Sequence, residues 1–190
     1  MNLEEAKKKL NMEFSYHADF VYEIVKELNL PKSVKILDIG TGFGTMAMIL
    51  ALQGYKVLTG EPEGHNWANW RTSVKKISVE DFITFEHFNA EDLPYETSSF
   101  DAIFCLTSLH HINDKHAALK EFLRVVKDNG IIVIFELTSD GIKAVKRIMP
   151  HHPEVINPEE YSKGLSLSLE IKKGKNVNAF LFKKKVKFFI

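Results

Sequence analysis

Val34-Lys35-Ile36-Leu37-Asp38-Ile39-Gly40-Thr41-Gly42-Phe43-Gly44-Thr45-Met46-Ala47-Met48-Ile49-Leu50-Ala51-Leu52-Gln53-Gly54 is the stretch on which the fold turns. Residues 35–39 read as a strand buried on both faces, because they form a short, nearly continuous apolar run. Residues 40–44 read as a glycine loop, and residues 45–53 as a helix that Gly54 terminates in the left-handed conformation. Three glycines in five residues let backbone approach a ligand closely. The helix that follows offers unpaired N–H groups to an anion. The spacing is G-x-G-x-G with Asp38 just before it, rather than the dinucleotide pattern G-x-G-x-x-G. No Gly-Lys-Ser/Thr follows, so a phosphate-binding Walker loop is excluded. A carboxylate beside such a loop suits a guest that carries a positive group as well as an anionic one.

Working outward toward the C-terminus, residues 55–59 predict a second strand, and Glu61 stands 21 residues after Gly40. In nucleoside-binding βαβ units an acidic residue near this spacing accepts hydrogen bonds from the ribose hydroxyls. A helix is predicted over 66–77, with Trp67 a candidate to stack on an adenine. Residues 83–88 predict a third strand. Asn89-Ala90-Glu91-Asp92-Leu93-Pro94-Tyr95 then forms a polar loop at a carboxyl strand end, where ligand crevices open. Asp92 is a candidate acceptor for an exocyclic adenine amine. Residues 100–107 predict a fourth strand, and Asn113 or Asp114 caps the next helix. Asp128-Asn129-Gly130 predicts a turn ahead of a fifth strand over 131–136. Alternating β and α units imply a parallel sheet with helices on both faces.

The end of the chain has a different pattern. A helix is expected over 142–149, and Asn157-Pro158-Glu159-Glu160 opens a short one. Residues 165–171 alternate apolar and polar, as does the half-buried face of a strand, and a tight turn at 173–176 leads into another strand over 177–183. Strands joined so closely are antiparallel. The expected fold is α/β: a Rossmann-like, doubly wound, seven-stranded, mainly parallel sheet ending in an antiparallel hairpin. One domain over 1–190 is expected, with a helical cap at 1–30, a core at 34–136 and a C-terminal part at 137–190. In the cap, Phe14, His17, Val21, Ile24, Val25 and Leu28 form one apolar stripe. Tyr16, His17 and Asp19 are candidates to face a pocket if the cap acts as a lid.

Composition narrows the function classes. Twenty-five basic residues balance twenty-five acidic ones, which argues against a large nucleic-acid surface. No apolar run has the length of a membrane span, and the N-terminus carries no apolar signal core, so a cytoplasmic protein is expected. The single cysteine, Cys105, excludes an internal disulfide and a cysteine-rich metal site.

Together these motifs resemble the class I S-adenosylmethionine-dependent methyltransferases, on the branch that holds the ubiquinone/menaquinone methyltransferases. The resemblance rests on Asp38-Ile39-Gly40-Thr41-Gly42-Phe43-Gly44, Glu61, Ala90-Glu91-Asp92-Leu93-Pro94-Tyr95, Ser99-Phe100-Asp101-Ala102-Ile103 leading to Leu109-His110-His111-Ile112, and Leu119–Lys127 with Asn129-Gly130. It implies S-adenosyl-L-methionine as cofactor. Asp38, Gly40, Thr41, Gly42 and Gly44 would form the methionine end of its site, and Glu61 would meet the ribose. Ala90, Glu91 and Asp92 would meet the adenine, and Thr107 would lie near the transferred methyl. Residues 62–67, which follow Glu61 as Pro62-Glu63-Gly64, depart from the family pattern.

His110 and His111 are the candidate catalytic bases, since histidine titrates near neutrality. His151 and His152, between two prolines, are candidates for an acceptor pocket. No metal site is expected, because no third ligand stands at suitable spacing. The absence of an Asn/Asp-Pro-Pro-aromatic motif after the fourth strand argues against amino-group methylation of bases or glutamine, and Cys105 follows Phe104 rather than a proline. A small-molecule methyl acceptor is the class left, with no nucleic-acid or membrane partner. Two other readings stay open: a non-catalytic cofactor-binding subunit and an NAD-type oxidoreductase.

Overall fold

The computed structural model describes residues 1–64 and 69–185. Seven strands form one sheet: β1 (Ile36–Ile39), β2 (Val57–Glu61), β3 (Ile83–His87), β4 (Phe100–Leu106), β5 (Val126–Leu137), β6 (Leu167–Lys172) and β7 (Val177–Lys184). Their order is β3-β2-β1-β4-β5-β7-β6. β1 to β5 pair in parallel, whereas β7 is antiparallel to both β5 and β6. Six strands therefore point one way and β7 alone runs against them, as the alternation and the tight turn predicted.

The strands read as apolar runs because both of their faces are buried. On β4, Ala102, Phe104 and Leu106 join one core while Ile103 and Cys105 join the other. The first core packs beneath α1 (Leu3–Lys9), α2 (Met12–Glu27), α3 (Thr45–Leu52), α4 (Trp70–Lys76) and α6 (Ser139–Lys146). The second packs against α5 (Lys115–Val125), whose Leu119 and Phe122 are fully buried, and against Tyr161 of α7 (Pro158–Tyr161). Full burial of side chains this size stabilises by roughly 1.5–3 kcal/mol each.

Several sequence expectations change. The N-terminal segment over 1–30 forms two helices rather than one, because Asn2 and Asn11 each accept a hydrogen bond from the backbone of a new first turn, and the apolar stripe lies on the second of them. The exposed Asp19 carboxylate holds Lys7 at 2.8 Å and ties α1 to α2. His17 is half-buried, its Nδ1 is buried with no hydrogen-bond partner among the described residues, and desolvation lowers its pKa to about 4. The turn expected at residues 128–130 is an excursion within β5. Phe100 pairs with Val126 and Ala102 with Ile131, so the intervening residues bulge out of the ladder. Asp101 secures the bulge by accepting from the Lys127 ammonium and from the Lys35 backbone N–H, both at 2.8 Å. The helix expected over 142–149 begins earlier, at Ser139, where Thr138 caps it. Trp67, read as a base-stacking candidate, lies outside the described residues.

Candidate functional site

The carboxyl ends of β1, β2, β4 and β5 meet at one edge of the sheet, where the glycine loop begins. Gly40, Gly42 and Gly44 all have positive φ, at 81°, 49° and 77°. Gly40 is obligatory for a second reason: a Cβ there would stand 2.4 Å from Ser108 Oγ. At Gly42 the space a Cβ would enter is open. Gly60 O accepts from the Gly40 and Thr41 N–H groups and anchors the loop to β2. Among the described residues no side chain caps α3, and no acidic residue stands in its first turn, so its N-terminal N–H groups are open to an anion.

Asp38 lies beneath this loop with its side chain fully buried. Its Oδ2 accepts the Thr59 hydroxyl at 2.8 Å, and Thr59 Oγ1 stands 2.9 Å from Thr41 Oγ1. Because Thr59 spends its proton on Asp38, Thr41 must donate to Thr59. The other oxygen, Asp38 Oδ1, has no partner among the described residues. Burial, together with the nearby Glu61 carboxylate, pushes the Asp38 pKa up to about 8 against the pull of Thr59. A buried carboxylate oxygen without a partner is costly, and it fits a guest that brings a cation or a proton donor. Glu61 is buried at the end of β2, where it accepts the Gly42 N–H.

The loop after β3 is pinned from beneath. Arg124 donates to Tyr95 O at 2.7 Å and to Leu93 O at 2.9 Å, while Glu121 accepts from the Leu93 N–H. The Arg124 guanidinium holds the Glu121 carboxyl below its ordinary range. Asn89 Oδ1 accepts from the Glu91 N–H, and the Glu91 carboxylate accepts the Asp114 N–H at the start of α5. Ala90 is buried, whereas the Asp92 side chain is exposed.

After β4, Thr107 takes φ 48°. That is a strained value for a β-branched residue, at the point where the chain leaves the sheet. Ser108 Oγ lies 3.3 Å from Gly40 O and braces this turn against the glycine loop. Leu109–His111 forms a short 3-10 turn. His110 is buried, and its Nδ1 stands 2.7 Å from Glu136 Oε2 at the end of β5. Its Nε2 stands 3.3 Å from His152 Nε2. The His111 ring centroid is 4.2 Å from that of His110 and 5.2 Å from that of His152. Burial and the surrounding positive charge lower His111 to about 4, and burial lowers His152 as well.

The family model described as a methyltransferase domain matches residues 37–134, which span β1 to β5 with the glycine loop, Glu61 and the histidine turn. The chain belongs to this methyltransferase family. A demethylmenaquinone methyltransferase of Staphylococcus aureus (strain MRSA252) is 28% identical over 164 residues, covering 83% of this chain and 66% of that protein. One from Clavibacter sepedonicus is 32% identical over 114 residues, covering 60% of this chain and 45% of its own length. The chain thus spans about half to two thirds of these relatives. A solved structure of a proposed S-adenosyl-L-methionine-dependent methyltransferase from Methanococcus maripaludis superposes with a TM-score of 0.75 at 19% identity, over 98% of this chain and 92% of that one. This likeness extends the shared class I fold to the terminal hairpin.

Within this methyltransferase domain, Asp38, Gly40, Thr41, Gly42, Gly44, Glu61 and Thr107 gather around one loop edge. Glu91 instead spends its carboxylate on α5. His151 is exposed and stands apart from the cluster of His110, His111 and His152. Sequence reasoning missed three supports. Ser108 had no motif to mark it. Arg124 and Glu121 stood within the Leu119–Lys127 motif with no role assigned to them. Glu136 read as strand core, although a charged residue ending an otherwise apolar buried strand was a usable signal. No helix among the described residues is long and apolar enough to cross a membrane.

Proposed function

We propose that the chain binds S-adenosyl-L-methionine along the glycine-loop edge and transfers its methyl group to a small-molecule acceptor in the cytoplasm. The observation that carries this reading is Asp38. A fully buried carboxylate with one oxygen unpartnered among the described residues, beneath a loop whose helix start carries no cap from Gly44, suits a guest with an ammonium and a carboxylate side by side. Asp38 meets the ammonium, directly or through water. The backbone of Gly40, Thr41, Gly42 and Gly44 and the α3 N-terminus meet the carboxylate. Glu61 releases the Gly42 N–H and accepts the two ribose hydroxyls. Asp92 accepts the adenine amine beside the backbone of Ala90 and Glu91.

The bound cofactor supplies a sulfonium-activated methyl, so the protein's remaining tasks are alignment and the exclusion of water. Thr107, strained and braced by Ser108, sets the wall nearest the reacting groups. Of the two histidines expected as bases, His111 is poorly suited at neutral pH because its pKa lies near 4. His110, oriented by Glu136, faces the acceptor side. A cleft of about 450 Å³ lined by Leu137, Thr138, Val155, Ile156, Tyr161 and Asn178 opens at this edge and is the acceptor entrance in this reading. Demethylmenaquinone, named for two relatives, belongs in an acceptor panel with other phenols and quinols.

Calorimetric titration with S-adenosylmethionine, S-adenosylhomocysteine and NAD tests the reading. Binding of the first two and silence with NAD is the expected result. In Glu61→Ala the affinity for both falls roughly tenfold to hundredfold, the loss of charge-assisted hydrogen bonds. NAD binding without a response to the methionine cofactors would favour the oxidoreductase instead. Binding without turnover across the panel would favour a non-catalytic subunit.

A further inference from the structure

His110, His111 and His152 bring one imidazole nitrogen each within 4.8 Å of one another. Two of the rings have their tautomers fixed from behind. His110 Nδ1 lies 2.7 Å from a Glu136 carboxylate oxygen, and His152 Nδ1 lies 3.0 Å from the Pro153 carbonyl. Both partners accept, so each ring, when neutral, carries its proton on Nδ1 and turns a bare Nε2 lone pair forward. Those two nitrogens face each other at 3.3 Å. Two lone pairs at that distance repel unless an electrophile lies between them. A tetrahedral zinc ion with nitrogens at about 2.0–2.1 Å spans an N···N edge of about 3.3–3.4 Å. The observed separation is that edge.

The surroundings agree with this geometry. A carboxylate on the far nitrogen of a ligating histidine is the usual outer support of a metal site, because it fixes the ring and raises its basicity. Here it is a buried glutamate at the end of β5 whose two oxygens take the His110 ring and, at 3.3 Å, the His110 N–H. Imidazole ligands suit zinc and its neighbours in the transition series rather than magnesium or calcium. Three protein ligands, rather than four, are the pattern of sites that keep a position open.

We infer that His110, His111 and His152 form a site for a divalent ion of the zinc class, with Glu136 holding His110 from outside and a fourth position open to water or to an oxygen of the acceptor. The three ligands come from the turn after β4 and from the segment between α6 and α7. The outermost nitrogen closes on the ion by a side-chain rotation of about 1.5 Å, the difference between the 4.8 Å span and the 3.3 Å edge. The site stands at the sheet edge two residues beyond Ser108, which touches Gly40. Only the last part, that the open position receives the acceptor's oxygen, rests on the methyltransferase reading. It narrows the acceptor to a molecule with a hydroxyl able to ligate a metal, such as a phenol or an enol.

The test uses the whole chain, stripped with a chelator and titrated with Zn²⁺ by calorimetry and with Co²⁺ by visible absorption. One ion per chain is expected, with the intense visible bands of tetrahedral Co²⁺. His152 lies in an irregular segment outside the sheet, so His152→Ala spares the fold; it should lose at least about a hundredfold in Zn²⁺ affinity while keeping its affinity for S-adenosylmethionine. Glu136→Gln should lose about tenfold to hundredfold, the usual cost of removing an outer-shell partner. A wild-type chain that takes up no Zn²⁺ overturns the inference and assigns the gap between the rings to a shared proton. Equal Zn²⁺ affinity in His152→Ala overturns it as well. S-adenosylmethionine titrated into the same preparations reports separately: a chain that binds zinc but not the cofactor refutes the proposed function and keeps the metal site.

Discussion

The glycine loop and the histidine corner share one edge of the sheet but are built in opposite ways. The loop is made of backbone from consecutive residues, Gly40 to Gly44, and its conformation follows from what glycine permits. The corner is made of side chains from segments far apart, since His110 and His152 stand 42 positions apart and Glu136 comes from a third element. One polar group in each is left expecting something: an oxygen of Asp38 in the loop and a pair of facing nitrogens in the corner. A backbone site is specified locally and tolerates few substitutions at its glycines. A side-chain site is specified by the tertiary fold and can be dismantled one residue at a time.

The largest effect should come from closing the loop. Gly40→Val places a branched side chain where even a Cβ meets Ser108 at 2.4 Å, at a φ of 81°. Cofactor binding should become undetectable by calorimetry and the melting temperature should fall. Gly42→Ala, with open space before it, incurs mainly the left-handed penalty of roughly 1–2 kcal/mol. If the two variants behaved alike, close backbone approach would not be what the loop is for.

Next is the charge state of Asp38. Its pKa is raised to about 8, so the free protein holds this carboxyl protonated at neutral pH. An ammonium guest selects the carboxylate, so binding releases a proton and affinity rises with pH. The gain approaches tenfold per unit up to about pH 8 and then levels off. Calorimetry in buffers of different ionisation enthalpy measures the proton directly, and Asp38→Asn should abolish both the proton release and the pH dependence. In the free protein the sign is opposite. Because the folded pKa lies above the unfolded one, the fold loses stability as pH climbs from the ordinary carboxylate range through about 8, and Asp38→Asn removes this decline.

The smallest effect belongs to a residue in neither region. Cys105 is fully buried on β4, and burial raises its thiol well above the usual range. Cys105→Ala should cost about 1 kcal/mol of stability, the scale of a small cavity, and leave turnover unchanged. A loss of turnover without a loss of stability would show that the chemistry extends below the loop edge.

The same contrast explains what could be read from the chain alone. β1, its loop and α3 are contiguous, and their periodicity and glycine spacing are local properties, so Asp38, Gly40 and Glu61 could be picked out as candidates, and they lie together at one edge of the sheet. The terminal hairpin was legible because a turn of a few residues leaves only an antiparallel solution. The histidine corner was half legible. His110 and His111 were visible as a pair, but the third imidazole is brought in by the packing of the segment after α6. Residues 128–130 misled for a related reason. Their turn chemistry is real, but the tie from Asp101 to Lys35 and Lys127 draws the excursion into β5 instead of letting it precede the strand. At the N-terminus one helical segment was two, because Asn11 caps a new start just ahead of the apolar stripe.

The reversed strand has a consequence for how the protein is made. β7 lies between β5 and β6, so the chain must travel through residues 138–176 before the outer edge of β5 finds its neighbour. During synthesis from the N-terminus, the parallel strands and the entire glycine loop leave the ribosome while that apolar edge is still bare. An uncovered strand edge invites pairing with other chains. The nascent protein therefore passes through an interval in which its ligand cradle is complete and its sheet is still adhesive, and guests that reach the cradle early would shelter the half-made chain.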